Sequence, residues 1–219
     1  MRVLIGGEFT GKIRDAFIRR GFDAMSCDLK PSIIPGPHYT GSWYDIQHDG
    51  FDLAIFHPTC TYMANSGAKH LFMNMSKNGG LNEERWLKMG RAAWEFWHHK
   101  ETCPIPFVAW ENPVMLGYAQ LMIGKPSQTV QPWWFGTDEN SRDNTKKATC
   151  WWTKGGLPKL VKTGTLDGST ARPEVHHATP TKDPEERRMK RSEMTPGMAD
   201  AIAAQWGGFV QKQLAAKAA

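Results

Sequence analysis

A cysteine and a carboxylate stand just after two short apolar runs of the chain. The run at 52–56 leads into a loop that carries Cys60, and the run at 104–110 leads directly into Glu111 and Asn112. Carboxyl ends of parallel strands share one edge of a sheet, where such sheets bind ligands, so we expect these side chains to meet there. A thiolate is a strong nucleophile, and a carboxyl group can exchange a proton with the same substrate.

Each of these residues also has a simpler interpretation. Taken alone, Cys60 could be a small buried residue at a strand end, and Glu111 could cap a helix or pair with a basic residue. The presence of Asn112 beside Glu111, at the end of a second strand, favours the catalytic interpretation. The sequence therefore predicts Cys60 as a nucleophile and Glu111 as its acid partner.

A glycine-bearing turn follows the first apolar run. It spans residues 6–11 (GGEFTG), and Asp28 follows at about the 20-residue spacing at which an acid binds the ribose of an adenosine cofactor. The carboxylate of Glu8 would repel a pyrophosphate and attract the amino group of S-adenosylmethionine. The sign of this charge favours S-adenosylmethionine over a dinucleotide. Asp28 is also a common type of turn residue.

The elements that position these side chains alternate between strands and helices. Residues 2–5, 22–27, 52–56 and 104–110 are predicted strands, and residues 11–20 and 82–99 are predicted helices. A final helix is expected from about residue 196, and the stretch from 125 to 190 is expected to be loops with a few short strands. This order predicts an α/β fold: a Rossmann-like, mostly parallel sheet with flanking helices.

Composition narrows the class of protein. The 219 residues carry a net charge of +5, which favours an anionic partner. The four cysteines are far apart and His176-His177 has no third ligand nearby, so no metal site is predicted. We see no membrane span and no secretion signal, and expect a cytoplasmic protein.

Several motifs, in order, resemble those of the cytosine-C5 DNA methyltransferases, and the chain is similar to small phage-encoded proteins of that kind. The matching segments are 9–11 with the helix end at 20–22, Asp28, 44–46 (YDI), 52–60 with 66–67, 110–113 (WENP) and 195–203. The resemblance implies an S-adenosylmethionine-dependent methyltransferase, in a bacterial host if phage-encoded, with DNA as its substrate.

The resemblance also implies a role for each matched residue. Cys60 would add to C6 of cytosine, while Glu111 would protonate or hydrogen-bond N3 and Asn112 would hold the amino group or the loop. A site shielded from water would raise the pKa of Glu111 and keep it protonated. The implied cofactor-binding residues are Glu8, Phe9, Gly11, Asp28, Asp45 and Pro58.

The region between the two matched parts is short for this family. We predict a catalytic domain of residues 1–124 and 192–212, and a reduced target-recognition region of residues 125–191. In that region Arg142, Lys146 and Lys147 stand beside tryptophan pairs, a combination that suits phosphate contact and base stacking. So small a region would read few base edges, which predicts loose sequence specificity or a substrate smaller than duplex DNA.

Two other functions remain open at the level of sequence. The same cysteine and glutamate chemistry could act on a pyrimidine nucleotide or a modified base. Alternatively, the altered first motif, with one matching glycine at Gly11, is compatible with an inactive protein that binds DNA or a nucleotide. The sequence does not indicate an oligomeric state.

Overall fold

The computed structural model describes residues 1–173, 183 and 193–218. These residues form a seven-stranded sheet with strand order β3-β2-β1-β4-β5-β7-β6. Its strands are β1 (Arg2–Gly6), β2 (Asp23–Asp28), β3 (His38–Thr40), β4 (Leu53–Phe56), β5 (Phe107–Pro113), β6 (Gln128–Val130) and β7 (Thr149–Lys154). The first five strands are parallel, and β7 runs antiparallel between β5 and β6.

Helices cover both faces of this sheet. They are α1 (Lys12–Arg19), α2 (Trp43–Ile46), α3 (Glu83–Thr102), α4 (Gly117–Ile123), α5 (Pro196–Ile202) and α6 (Gly208–Ala218), with one π-helical turn (Ala203–Gly207) joining the last two. The predicted α/β class, with a mostly parallel sheet and flanking helices, is confirmed. No helix among the described residues is long and apolar enough to cross a membrane.

The central strands are apolar on both sides because each face packs against helices. Along β1, Val3 and Ile5 join the core that contains α1, α5 and the π turn, whereas Leu4 joins the core formed with α3 and α4. Trp206, in the π turn, packs edge-on against Trp151 of β7 at a ring separation of 4.9 Å. The end of the chain therefore covers one face of the sheet.

The described part of residues 125–191 contributes two short strands to the sheet, in agreement with the expectation of a few short strands. Both β6 and β7 come from this region and extend the same sheet as the first five strands. The irregular part consists of 131–148 and 155–173. Residues 174–182 and 184–192, which include His176 and His177, lie outside the described residues.

The strand order places a reversal beside β1. The chain moves from β1 to β2 and β3 on one side, and then to β4 and β5 on the other. In an open parallel sheet such a reversal opens a crevice at the carboxyl ends of the two flanking strands. Here those ends are Gly6 and Phe56, which lie opposite each other in the register of β1 and β4.

Candidate active site

A cleft of about 1650 Å³ opens at this edge of the sheet. It is lined by residues that follow β1, β2, β4 and β5, and by the segment before β7. Its walls include four aromatic side chains, those of Phe9, Trp43, Tyr62 and Phe72. The cleft is large enough to accommodate a cofactor and a substrate base together.

The first turn approaches the loop after β4 very closely. Gly7 has a φ of 78°, and a Cβ built on it would lie 2.7 Å from the carbonyl oxygen of His57. A glycine is required there both by the backbone conformation and by the contact. This close packing joins the first turn to the wall of the cleft that carries Cys60.

The carboxylate of Glu8 accepts hydrogen bonds from backbone N–H groups in the first turn of α1. Its Oε1 accepts the backbone N–H of Ile13 at 2.7 Å, and its Oε2 accepts the N–H of Arg14 at 3.2 Å. The side chain is buried, and burial raises the pKa of Glu8 although these two N–H groups and nearby cations oppose the rise. The helix N–H groups that hold pyrophosphate in a dinucleotide site are therefore already occupied.

A fully buried arginine fixes the loop beyond β2. The guanidinium of Arg14 donates to Asp15 at 2.8 Å, to the hydroxyls of Ser26 and Ser32, and to the carbonyl of Pro35 at 2.9 Å. A buried charge is tolerated only when it is paired and hydrogen-bonded, as it is here. This network holds the proline-rich loop against the side of the cleft where Asp28 lies.

The loop that carries Cys60 is held from two neighbouring elements. Asn112 at the end of β5 donates from Nδ2 to the carbonyl of Pro58 at 3.2 Å. Arg85 of α3 donates to the carbonyl of Thr61 at 2.7 Å and lies over the ring of Tyr62. Asn112 is fully buried, and its Oδ1 has no hydrogen-bond partner among the described residues.

Cys60 differs from the other three cysteines in its surroundings. Cys27, Cys103 and Cys150 are buried, whereas Cys60 is partly exposed and lines the cleft. Burial raises the pKa of all three buried thiols, and that of Cys27 reaches about 12. Reactive cysteines are partly exposed thiols near cations, so Cys60 is the candidate nucleophile among the four.

Glu111 is paired with a histidine from the neighbouring strand. Because Phe56 lies opposite Trp110 in the parallel register of β4 and β5, the next residues of the two strands, His57 and Glu111, come together. His57 Nδ1 lies 3.1 Å from Glu111 Oε2, and the two side chains are 14% and 12% exposed. His57 Nε2 is buried without a hydrogen-bond partner among the described residues.

The expected rise in the pKa of Glu111 is not found. Burial does raise it, but the hydrogen bond with His57 and the charges of His57 and Lys147 outweigh burial and hold the pKa below its ordinary value. The prediction that shielding from water keeps this carboxyl protonated is therefore wrong for the protein without substrate. His57 and Lys147, both distant from Glu111 in sequence, therefore decide the direction of its pKa shift.

Lys147 is a cationic residue that lines the cleft and interacts with both Glu111 and Cys60. Its ammonium donates to the carbonyl of Glu193 at 3.2 Å and interacts electrostatically with both Glu111 and Cys60. Loss of hydration lowers the pKa of Lys147, although these anionic neighbours oppose the change. Of the three predicted basic contacts, Lys147 lines the cleft, whereas Arg142 pairs with Glu193 at 2.6 Å and Lys146 is exposed beside it.

The structure places most of the predicted cofactor residues on the cleft, but two lie elsewhere. Glu8, Phe9, Asp28 and Pro58 line it. Gly11 instead begins α1 with a φ of 68°. Asp45 completes the capping box of α2, where its carboxylate accepts from the Ser42 N–H and the Tyr39 hydroxyl at 3.2 Å. The predicted adenine contact at Asp45 therefore has no support from its position.

Sequence reasoning missed the two partners of Glu111. His57 was visible inside the Cys60 loop, but its role depends on the register between β4 and β5. Lys147 was predicted only as a substrate contact, because its approach to Cys60 depends on the antiparallel path of β7. Arg85 carries no sequence signal at all beyond its place near the start of α3. Within the described residues no group of three or more acidic, histidine or cysteine side chains could hold a metal ion.

Comparison with known proteins gives little beyond the geometry. No protein family model matches the chain, and no curated protein sequence matches it. Among solved structures it is similar to a candidate DNA modification methyltransferase encoded within a prophage of E. coli, with 14% identity and a TM-score of 0.42. The similarity covers 74% of this chain and 51% of the other, so the chain spans about half the length of that protein. Similarity at this level does not establish a shared activity.

Proposed function

We propose that the protein is an S-adenosylmethionine-dependent methyltransferase that acts at cytosine C5 through a covalent adduct with Cys60. The observation that carries this proposal is that Cys60, Glu111 and Lys147 line one cleft at the carboxyl edge of the sheet. A nucleophile, an acid and a cation are the groups that addition to a pyrimidine ring requires.

The residues act in a defined order. The ammonium of Lys147 favours the thiolate of Cys60, which forms a bond from Sγ to C6 of the base. The electron pair of the C5–C6 double bond makes C5 nucleophilic, while Glu111 stabilises the charge at N3. S-adenosylmethionine supplies the electrophilic methyl group that C5 accepts. Solvent water then takes the C5 proton, the electron pair left at C5 re-forms the C5–C6 double bond, and Sγ leaves C6 as the thiolate.

The first turn fits an adenosyl cofactor without a pyrophosphate. Gly7 leaves room where any Cβ would collide with His57, and Asp28 stands on the cleft at the end of β2. Because Glu8 occupies the N–H groups of α1, a pyrophosphate would meet a carboxylate instead of free donors. We therefore assign Glu8 to closing the helix end, and infer that Phe9, Asp28 and Pro58 hold the cofactor.

DNA is the substrate that the charge of the chain favours. A net charge of +5 and the aromatic walls of the cleft suit a polyanion with an extruded base. One observation favours a smaller substrate. Since β6 and β7 belong to the sheet, few residues remain to read base edges. A pyrimidine nucleotide or a modified base is thus the second candidate.

Transfer of a labelled methyl group separates these candidates. The protein is incubated with labelled S-adenosylmethionine and either cytosine-containing DNA or deoxycytidine nucleotides, and compared with Cys60→Ala. Transfer to DNA that is lost in the variant supports the proposal, and transfer to nucleotides alone supports the second candidate.

The variant must be shown to be folded, by a thermal unfolding temperature close to that of the original chain. If neither substrate is labelled and calorimetry detects no S-adenosylmethionine binding, both enzyme functions fail. If Cys60→Ala and the original chain then retain DNA equally well, the result would indicate a DNA-binding protein without this enzymatic activity.

A further inference from the structure

His57 occupies an unusual position for an ionisable side chain. Its backbone N–H donates to the carbonyl of Gly6 at 2.8 Å, so it extends the pairing of β1 with β4 by one residue. Its ring lies deep in the wall of the cleft, with Nδ1 directed at Glu111 Oε2. The position of the ring is therefore fixed by the sheet rather than by the flexible part of the loop.

Charged groups surround this ring on three elements. Glu8 of the first turn and Glu111 of β5 are acidic, and both interact electrostatically with His57. Lys147, before β7, faces Glu111 from the other side, and Cys60 shares the loop of His57. An imidazolium at this position would balance two carboxylates.

The second ring nitrogen supports a role beyond structure. His57 Nε2 is buried and has no hydrogen-bond partner among the described residues. Burial of a polar group without a partner is unfavourable, and such groups in folded proteins are associated with function.

We propose that His57 is a positioning residue that stores the proton required by Glu111 and fixes the carboxylate through Nδ1. This inference rests on the proposed function, because it assigns the source of the proton that Glu111 gives to the base. In this proposal the two side chains share one proton through the contact between His57 Nδ1 and Glu111 Oε2.

The proton that the protein lends to the base returns to it at the end of the reaction. As the bond from Cys60 Sγ to C6 forms, Glu111 gives a proton to N3 and receives one from Nδ1, which leaves a neutral imidazole. When the bond from Sγ to C6 breaks, N3 releases its proton to Glu111 and the imidazolium is restored. No electrons are exchanged with an external donor or acceptor.

The pair should hold its proton to higher pH than a carboxyl group could alone. In model compounds an imidazole loses its proton near about pH 6.5 and a glutamate near about pH 4.3. Two coupled groups titrate as a pair, so a pair that contains an imidazole can retain a proton at a pH where a lone carboxyl group cannot. Removal of the imidazole should therefore move the loss of activity at high pH to lower pH.

His57→Asn tests this inference, because Asn keeps an N–H near the position of Nδ1 but cannot carry a proton. The matched control is His48→Asn, at an exposed histidine outside the cleft. Activity is measured as tritium release from C5 of labelled cytosine, in DNA and in deoxycytidine monophosphate, without S-adenosylmethionine. Release requires only reversible addition of Cys60 and exchange at C5.

We expect His57→Asn to lose at least about tenfold in rate near about pH 8, and we expect the difference from the original chain to shrink as the pH falls toward the glutamate value of about 4.3. The His48→Asn variant should keep the original profile. A loss in His57→Asn that is the same at every pH would overturn the proposal, since it would show a structural role alone.

A second measurement does not depend on turnover. The imidazole of His57 is titrated by NMR in the original chain and in Glu111→Gln. A shift of the His57 titration to lower pH in Glu111→Gln supports the shared proton, even if tritium release is absent and the proposed function has failed. A His57 titration that is unchanged in Glu111→Gln would overturn the proposed sharing of a proton, whether or not the protein releases tritium.

Discussion

Lys147 is the residue whose charge best explains how Cys60 could react. It belongs to the segment before β7, yet its ammonium interacts with both the thiol and Glu111. Its backbone carbonyl partner, Glu193, comes from the segment that precedes α5. Under the proposed function, the reactivity of Cys60 would therefore depend on two parts of the chain that are far from it in sequence.

Replacement of Lys147 should slow the reaction of Cys60 with a small electrophile. Without the cation the thiolate is less favoured, so the rate near neutral pH should fall by up to about tenfold. Iodoacetamide labelling of Cys60, followed by mass spectrometry, compares Lys147→Gln with the exposed neighbour control Lys146→Gln. Equal rates in the two variants would contradict this role.

His99 is a second buried histidine, and its role is structural. It accepts from Trp110 Nε1 at 3.1 Å through Nδ1, and its Nε2 lies 3.2 Å from Gln47 Oε1. Burial, with lesser effects of His98 and Lys154, lowers the pKa of His99 to about 4. The neutral ring is therefore the form that the fold requires.

This pKa predicts a loss of stability in acid. Because the folded pKa lies below the ordinary value, the unfolded chain binds more protons between about pH 6.5 and pH 4. The contribution of His99 is complete above about pH 6.5 and falls by up to about 3 kcal/mol as the pH approaches 4. Urea unfolding should show the destabilisation by His99→Gln shrinking over that range, while the exposed control His48→Gln shows no such trend. A destabilisation by His99→Gln that stays constant over this pH range would contradict the prediction.

At the scale of elements, the close approach of the first turn to the β4 loop shapes the cleft. Gly7 and Gly21 both have left-handed backbone conformations, with φ of 78° and 81°. A Cβ at Gly7 would meet the backbone of His57, whereas nothing lies within 4 Å of a Cβ at Gly21. A comparison of the two positions therefore separates the cost of the left-handed backbone conformation, which both share, from the cost of the steric collision with His57, which only Gly7 has.

Gly7→Ala should therefore destabilise the protein more than Gly21→Ala. The left-handed conformation alone costs about 1–2 kcal/mol for a residue with a Cβ, and it applies to both variants. The additional loss in Gly7→Ala measures the displacement of the His57 backbone, and the same variant should bind S-adenosylmethionine more weakly. Urea unfolding and calorimetry provide the two values. Equal losses of stability would show that the β4 loop moves aside freely.

The elements could largely be predicted from the sequence, and their side-chain contacts could not. Cys60 and Glu111 follow apolar runs that pair in parallel, so a shared edge follows from the order of the strands alone. The contact of Glu111 with His57 depends on the exact register between β4 and β5, and its interaction with Lys147 depends on the direction of β7. Short-range sequence patterns encode neither of these. The sequence did not reveal that Ser42 begins a helix and that the carboxylate of Asp45 takes part in its cap, so the adenine contact at Asp45 stays a prediction.

At the scale of the molecule, the end of the described chain secures the sheet that carries the site. Trp206 is 1% exposed, packs against Trp151, and donates to the carbonyl of Pro158 at 2.8 Å. Nearby, the Gly197 N–H donates to the carboxylate of Asp143 at 2.9 Å. These contacts join α5 and the π turn to the segments on either side of β7.

Trp206→Ala should be strongly destabilising. Loss of a buried tryptophan leaves a cavity and an unpaired carbonyl, at about 3–5 kcal/mol. Trp94→Ala, at a half-exposed position of α3, is the control and should change the free energy of unfolding by much less. Urea unfolding of both variants checks this difference. Similar losses would show that α5 and the π turn contribute little to holding the sheet.

The reversed strand β7 has a consequence for synthesis of the chain on the ribosome. Strand β6 is made before β7, but it pairs only with β7 among the described strands, and β7 also covers the open edge of β5. Until residues 149–154 emerge, the strand that bears Glu111 presents unpaired N–H and carbonyl groups, a template for aggregation. The nascent chain therefore passes through a stage in which its prospective catalytic strand is an unpaired edge of the sheet, and we expect chaperones to bind there.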